Sequence, residues 1–305
     1  MSLNDAHGKL RKYYGLFTII CVIIGFIFPQ FSILSPYTSL LLAILVFSMV
    51  IEHRIKDFTR IAKHPKKVLA LIASNLILYP IIGISLGYWF NLQPEVMIGM
   101  VLLCFSPSPV VAALWTELSG GDGCISISTA LLSMILSIIV YPVILFFIGI
   151  TSPDLSIAIF KLLVLSIFVP AIAALFLRLE EERYIPAKNT ITFLSSLVGL
   201  LIIVIAIAHM ASKVLANEFN IILILTLITI ILLTAGFFYG YLLTKLFKTK
   251  NKEGKGFLYT SSMRDGIIPL SVAIAYFSSY STMPATILLI VMPFMVVGVY
   301  YIVRR

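Results

Sequence analysis

Arg264 and Asp265 stand side by side in an otherwise apolar run from Phe257 to Phe277, with Gly266 and Pro269 just after them and the hydroxyls of Thr260, Ser261 and Ser262 just before. An ionised side chain at mid-membrane costs about 2.5–3.5 kcal/mol on insertion scales, so such residues are normally paired or cavity-facing, and they mark function by default. A guanidinium at such a place can grip a carboxylate or phosphate through a planar fork of donors. Burial and a neighbouring guanidinium act on the Asp265 proton in opposite senses, which leaves proton coupling through Asp265 open. A second apolar run, Val96 to Leu118, is interrupted by Phe105-Ser106-Pro107-Ser108-Pro109. Ser106, Ser108, Thr260, Ser261, Ser262, Arg264 and Asp265 are therefore the candidate substrate ligands, and Pro107, Pro109, Gly266 and Pro269 the candidate hinge residues. The hydroxyls have a second use, since Ser and Thr also bond back to carbonyls freed by a helix break. Arg264 likewise has one, a closed pair with Asp265 or with the break carbonyls.

Two such interruptions need long apolar helices to place them. Of the 305 residues 60% are hydrophobic and only 11% charged, against roughly 25% charged in soluble domains. The chain divides into ten apolar stretches, near Tyr14–Phe31, Tyr37–Ile51, Val68–Phe90, Val96–Leu118, Ile125–Ile150, Leu155–Leu177, Thr190–Met210, Phe219–Phe247, Phe257–Phe277 and Met283–Val303. Most approach the ~20 residues that a spanning helix needs. The first follows Lys9, Arg11 and Lys12 and is too long for a signal-peptide core, so it is expected to remain as a mature span. Non-helical backbone at membrane depth is tolerated where it is buried in protein or lines a wet cavity, and paired interruptions in two halves of a chain point to a transporter's substrate site.

Of the 22 Lys and Arg residues, 19 fall on one side if the N-terminus is cytoplasmic; the positive-inside rule then puts both termini in the cytoplasm of a plasma-membrane protein. These basic loops contact the bilayer and call for no nucleic acid. Five spans per half is an odd number, so the second half enters the membrane inverted. Residues 1–150 form one repeat (spans 1–5) and residues 151–305 the other (spans 6–10), joined at Thr151-Ser152-Pro153-Asp154. The expected fold class is an all-α polytopic membrane protein of ten transmembrane helices, two inverted five-helix repeats, with crossed discontinuous helices 4 and 9.

Several local patterns stand out: Phe47-Ser48-Met49-Val50-Ile51, the loop from Asp57-Phe58 to His64-Pro65-Lys66-Lys67, Asn75 five residues before Pro80, Leu118-Ser119-Gly120-Gly121-Asp122 with Ile125-Ser126, and Leu270-Ser271-Val272-Ala273-Ile274-Ala275. In their order and spacing they resemble the bile acid:sodium symporter family and its superfamily relatives, the arsenite efflux and auxin-type carriers. The resemblance covers nearly the whole chain. It implies a panel of spans 1, 2, 6 and 7, a core of spans 3, 4, 5, 8, 9 and 10, and alternating access between them.

The chain departs from that pattern where the family binds sodium. Pro107 matches the family's proline in span 4, but the two glycines after it become Ser108 and Pro109, and the Ser-Asn pair becomes Ala112-Ala113. The Thr-Ser ligands of span 5 fall on Ala130-Leu131, and the Glu and Gln of span 9 fall about at Ser262 and Gly266. Asn75 retains an amide, which makes Asn75, Arg264 and Asp265 the remaining candidate ion site. Hard cations need several oxygen ligands, so sodium coupling through the family's sites is not expected, and Arg264 is expected to stand in for the cation and to favour an organic anion as substrate. The arsenite carriers' span-4 Cys falls at Ser108 and their span-9 Glu at Ile268; Cys104 lies one turn away, which keeps a metalloid or other solute efflux carrier as the alternative, beside a non-transporting membrane sensor. No HExxH, GxSxG or paired intramembrane Asp motif occurs, so neither an enzyme nor a resident cofactor or metal is expected. The sequence fixes no oligomeric state.

Overall fold

The computed structural model describes residues 14–52, 65–178, 188–213 and 219–303. Lys9, Arg11, Lys12, the stretch from Arg54 to His64, Arg183 and Arg304-Arg305, all used in the orientation argument, lie outside the described residues, as does most of the Asp57 to Lys67 loop. Among the described residues there is no strand. Helix α1 spans Tyr14–Ile27, and a 3-10 segment, Pro29–Tyr37, leads into α2, Thr38–Glu52. Helix α3 runs Pro65–Trp89, with a π-helical turn at Ser74–Leu78. Then come α4, Pro94–Cys104, and α5, Val111–Leu118. Helix α6 is Cys124–Phe147 and α7 is Pro153–Leu177, which carries a second π turn at Val164–Phe168. Helix α8 is Lys188–Lys213 and α9 is Phe219–Leu246. The chain closes with α10, Asn251–Ser262, α11, Ile267–Tyr276, a 3-10 turn at Ser279–Thr282, and α12, Met283–Val303.

Seven segments are long and apolar enough to cross a membrane unbroken: Pro29–Ile51, α3, α6, α7, Phe193–Ala211, α9 and Ser279–Val303. The outer surface is as apolar as a bilayer requires, with Ile33, Trp89, Phe147 and Ile302 each about three-quarters exposed or more. Hydroxyls on the helices hide themselves. Thr226 and Thr234 of α9 each donate to the carbonyl four residues back at 2.7 Å, which removes their polarity from the outer surface, and buried Thr229 does the same inside. The charged side chains among the buried described residues are Arg264 and Asp265.

Where the broken helices meet their neighbours, small residues allow close approach. Gly236 and Gly240, one turn apart on α9, face the end of α10, and this small-xxx-small spacing is a common device for packing helices in membranes. A Cβ built on Gly236 would sit 2.6 Å from Ser262 Cα and 2.8 Å from the Ser261 carbonyl oxygen. Backbone cannot yield as a side chain does, and overpacking costs typically about 1–3 kcal/mol. Gly236→Ala is therefore expected to lower the melting temperature of the detergent-purified protein; an unchanged melting curve would mean that α9 and α10 are less tightly held than the structure indicates.

Next to the α5–α6 turn, Lys67 binds both oxygens of Glu253 at 2.7 and 2.9 Å, Lys255 Nζ donates to the Ser119 carbonyl at 2.6 Å, and the Asp122 amide donates to the Lys252 carbonyl at 2.9 Å. The first turns of α3 and α10 are thus tied to the α5–α6 turn.

Candidate functional site

Both interruptions follow from local chemistry. Pro107 and Pro109 donate no backbone hydrogen bond and push Ser106 and Ser108 out of the helical region. Helix α4 ends where Phe105 N bonds to Val101 O and Ser106 N to Leu103 O, and α5 begins where Ala112 N bonds to Pro109 O. The gap is Phe105–Val110, one residue longer than the sequence pattern predicts. In the second break the gap is Met263–Gly266, shorter than predicted, because Ile267, Ile268 and Pro269 already belong to α11. A proline in the first turn of a helix gives up an amide that has no intrahelical partner anyway, so Pro269 sits inside the second half-helix instead of separating the two.

The breaks face each other and complete each other's hydrogen bonding. Asp265 N donates to Pro107 O at 2.9 Å, and Ser108 Oγ donates to Thr260 O, near the end of α10, at 2.8 Å. Ser108 N is taken by Ser133 Oγ of α6 at 3.2 Å. Tyr141 of α6 donates to Leu102 O at 2.9 Å, and Tyr79 of α3 donates to Ser262 O. A buried backbone group without a partner is costly away from water, and here side chains from α3 and α6 supply what the broken helices cannot. The starts of α5 and α11 both lie at the breaks, so two positive dipole ends adjoin the crossing, opposite the carbonyl ends of α4 and α10.

Arg264 is wholly buried. Its guanidinium turns away from Asp265 towards α3. There Nη1 donates to Asn75 Oδ1 and, at 3.4 Å, to the Ser106 carbonyl of the first break; Nη2 donates to Ser74 Oγ at 3.2 Å. The Tyr79 ring lies below it, its centroid 3.6 Å from Cζ, and a desolvated cation–π contact of this kind contributes roughly 2 kcal/mol. Ser74 and Asn75 belong to the π turn of α3, and such turns are frequent at functional sites because they redirect side chains off the regular helical face. Arg264 therefore spans α3, the first break and the second. Its charge meets an amide, a hydroxyl, a carbonyl and a π face, and among the described residues no carboxylate lies within ion-pairing distance. Nε has no partner, and neither do the hydroxyls of Ser106 and Thr260.

Asp265 has a different assignment. Its Oδ1 accepts from Ile267 N at 2.8 Å and Ile268 N at 2.9 Å, the bonds of an N-cap at the start of α11. The other predicted ligands divide. Ser108 bridges the breaks and also meets Asn75, whose Nδ2 donates to it at 3.3 Å. Ser261 is turned towards α9, donating to Gly236 O at 2.9 Å and Phe257 O at 2.7 Å, and Ser262 Oγ bonds back to Tyr259 O at 3.2 Å. Gly266 lets the chain pass close to α12, where a Cβ would stand 2.8 Å from Leu289.

Sequence reasoning did not single out Ser74, Tyr79 or Tyr141. The adjacent polar pair Ser74-Asn75 within the apolar run Val68 to Phe90 is the signal that could have found the first. Asn75, Phe105, Pro107, Ser133 and Ser137 line a small cleft, with room for about one water, between α3, the first break and α6.

The chain is similar to known proteins. The Sodium Bile acid symporter family matches residues 39–218, more than half of the chain, a stretch that includes the first break and stops before the second. An uncharacterized sodium-dependent transporter of Bacillus subtilis (strain 168), YocS, is 23% identical over 283 residues, 90% of this chain and 85% of that protein. The arsenical-resistance protein Acr3 of Alkaliphilus metalliredigens (strain QYMF) is 25% identical over 260 residues, 73% of this chain and 72% of its own.

Proposed function

This chain belongs to the sodium bile acid symporter family, and from that premise we propose that it carries a small or amphipathic organic anion across the cell membrane by alternating access, with Arg264 in the place of a bound cation. The protein is an integral membrane transporter by family and by its apolar helices. The observation that carries the proposal is the Arg264 guanidinium, buried at the crossing and held by Asn75, Ser74, Tyr79 and the Ser106 carbonyl.

The architecture behind this reading has ten spans in two inverted repeats, residues 1–150 and 151–305, with α4–α5 as span 4 and α10–α11 as span 9, and both termini cytoplasmic. Adding α1 and the two broken pairs to the seven unbroken segments supports that count. Helix α8 packs on α1 and α2, and α7 on α2, as a panel of spans 1, 2, 6 and 7 would; α10 packs on α5 and α11 on α4, as a crossing of spans 4 and 9 would. A small apolar cleft opens between α2, α6 and α7, lined by Val46, Met49, Leu131, Met134 and Ile167 and reaching Val110 at the break. It would have to widen during the cycle to take the apolar body of an amphipathic anion. Ser106, Ser108, Thr260 and Arg264 would meet its charged end, while Ser261 and Ser262 would hold the half-helix in place.

Loss of sodium coupling follows from the same residues. Ala112, Ala113 and Ala130 are buried and bring methyl groups where a sodium ion would need oxygen ligands. Uptake of a radiolabelled organic-anion panel into proteoliposomes is expected to proceed equally in sodium and in choline medium. Absence of flux across the panel would refute the carrier reading, and a saturable rise of affinity with sodium would refute the substitution. A metalloid efflux carrier is the second reading, favoured by the likeness to Acr3. Against it, the Cys104 thiol is buried where a Cβ on Gly83 would collide with its Sγ, packed between α3 and α4; arsenite flux in the same vesicles decides the matter.

A further inference from the structure

The two carboxylate oxygens of Asp265 are not equivalent. Oδ1 is fully engaged by the amides of Ile267 and Ile268. Oδ2 accepts no hydrogen bond from the described residues and is not wholly enclosed; with 5% of Asp265 exposed, this oxygen can meet a water-sized visitor. The neighbouring cation makes no direct bond to it, because the Arg264 guanidinium points to Asn75, Ser74 and Tyr79. The other ionisable groups around the crossing are Tyr79 of α3, Cys104 at the end of α4 and Tyr141 of α6. Both tyrosine hydroxyls are committed to carbonyls, and the Cys104 thiol is wholly buried. His209 of α8 lies beside Ser35, 3.2 Å from its hydroxyl, and α11 and α12 contain no charged residue.

From this geometry, and resting on the anion-carrier reading above, we infer that Asp265 is the proton site of the transporter, taking a proton on Oδ2 from the side on which the anion enters and releasing it to the other. Protonation at Oδ2 leaves the cap intact, since Oδ1 keeps both amides. The charges at the crossing explain why anion and proton travel together. With Arg264 positive and Asp265 ionised, the empty crossing is neutral; an incoming anion leaves one negative charge in a medium that penalises it, and a proton on Oδ2 restores neutrality. The coupling is reciprocal, as linkage requires: whatever raises proton affinity when the anion binds raises anion affinity when the proton binds.

The test uses full-length protein in sodium-free liposomes with radiolabelled cholate and pyruvate as probes. An inward proton gradient should raise wild-type accumulation of at least one probe several-fold, and imposing that anion gradient alone should acidify the interior, read with trapped pyranine. Asp265→Asn keeps an Oδ1 acceptor for the cap but cannot carry the proton, so its ratio of uptake with and without the proton gradient should fall to about one, with its melting temperature retained. A ratio equal to the wild type's overturns the proposal, as does wild-type accumulation without proton movement. Should Asp265→Asn fail to fold, the wild-type pyranine trace alone decides. Stimulation by a sodium gradient at fixed pH, lost in Asp265→Asn, would make the carboxylate a cation ligand and also overturn it. If neither probe, nor any anion of the wider panel, enters wild-type vesicles, it is the carrier reading that fails.

Discussion

Replacing Arg264 with Ala should lower the melting temperature of the purified protein by roughly 5 °C or more and, on the anion-carrier reading, abolish any stabilisation by organic anions. The size follows from what is left behind. Asn75 Oδ1 and Ser74 Oγ lose a charged donor but keep other partners, whereas the Ser106 carbonyl loses the guanidinium in a fully buried place, and a buried polar group left unsatisfied costs about 1–3 kcal/mol. Each kcal/mol shifts melting by about 2–4 °C in chains of comparable size. Loss of the bulky side chain above Tyr79 adds a void. Arg264→Lys should recover part of the stability, because an ammonium can reach one acceptor but cannot span Asn75, Ser74 and Ser106 at once. If Arg264→Ala melts like the wild type and still responds to anions, the guanidinium neither holds the crossing nor attracts the substrate.

Asn75→Asp separates those two roles. The change preserves shape and puts a carboxylate where Arg264 already donates, so the fold should hold. The new ion pair, however, cancels the charge available to an anion. Anion affinity measured by thermal shift should therefore fall at least tenfold, equivalent to about 1.4 kcal/mol, with the unliganded melting temperature equal to or above the wild type's. Undiminished affinity in this variant would show that the attraction for anions comes from the ends of α5 and α11 and not from Arg264.

The parts of this arrangement that were legible in the sequence are those set by local chemistry. Prolines and ions inside apolar runs announced both breaks, and hydropathy marked the long helices. The limits of the second break were misplaced because Pro269 reads as a breaker, whereas in the first turn of α11 it breaks nothing. The partners of Arg264 were less visible. Asn75 stood out through family resemblance, but its contact lies 189 residues away in the chain, and nothing local reports a π turn. Adjacent in sequence, Arg264 and Asp265 invite pairing; the extended backbone at Met263 and the cap of α11 send them in different directions. Serines are hardest to read, since one residue type bridges two breaks at Ser108 and only ties two helices together at Ser261.

A cation that belongs to the chain cannot leave it. In a carrier that binds its cation from solution, the crossing is completed when the ion arrives and relaxed when it departs, and the downhill passage of that ion performs work on the substrate. Arg264 completes the crossing permanently, reaching α3 and the first break from within the second. It returns with every cycle to where it began, so it organises the site without driving it. A transporter built this way keeps the scaffold that an ion would provide and gives up the ion as fuel, and any uphill transport must draw on a species that can board at one face and alight at the other.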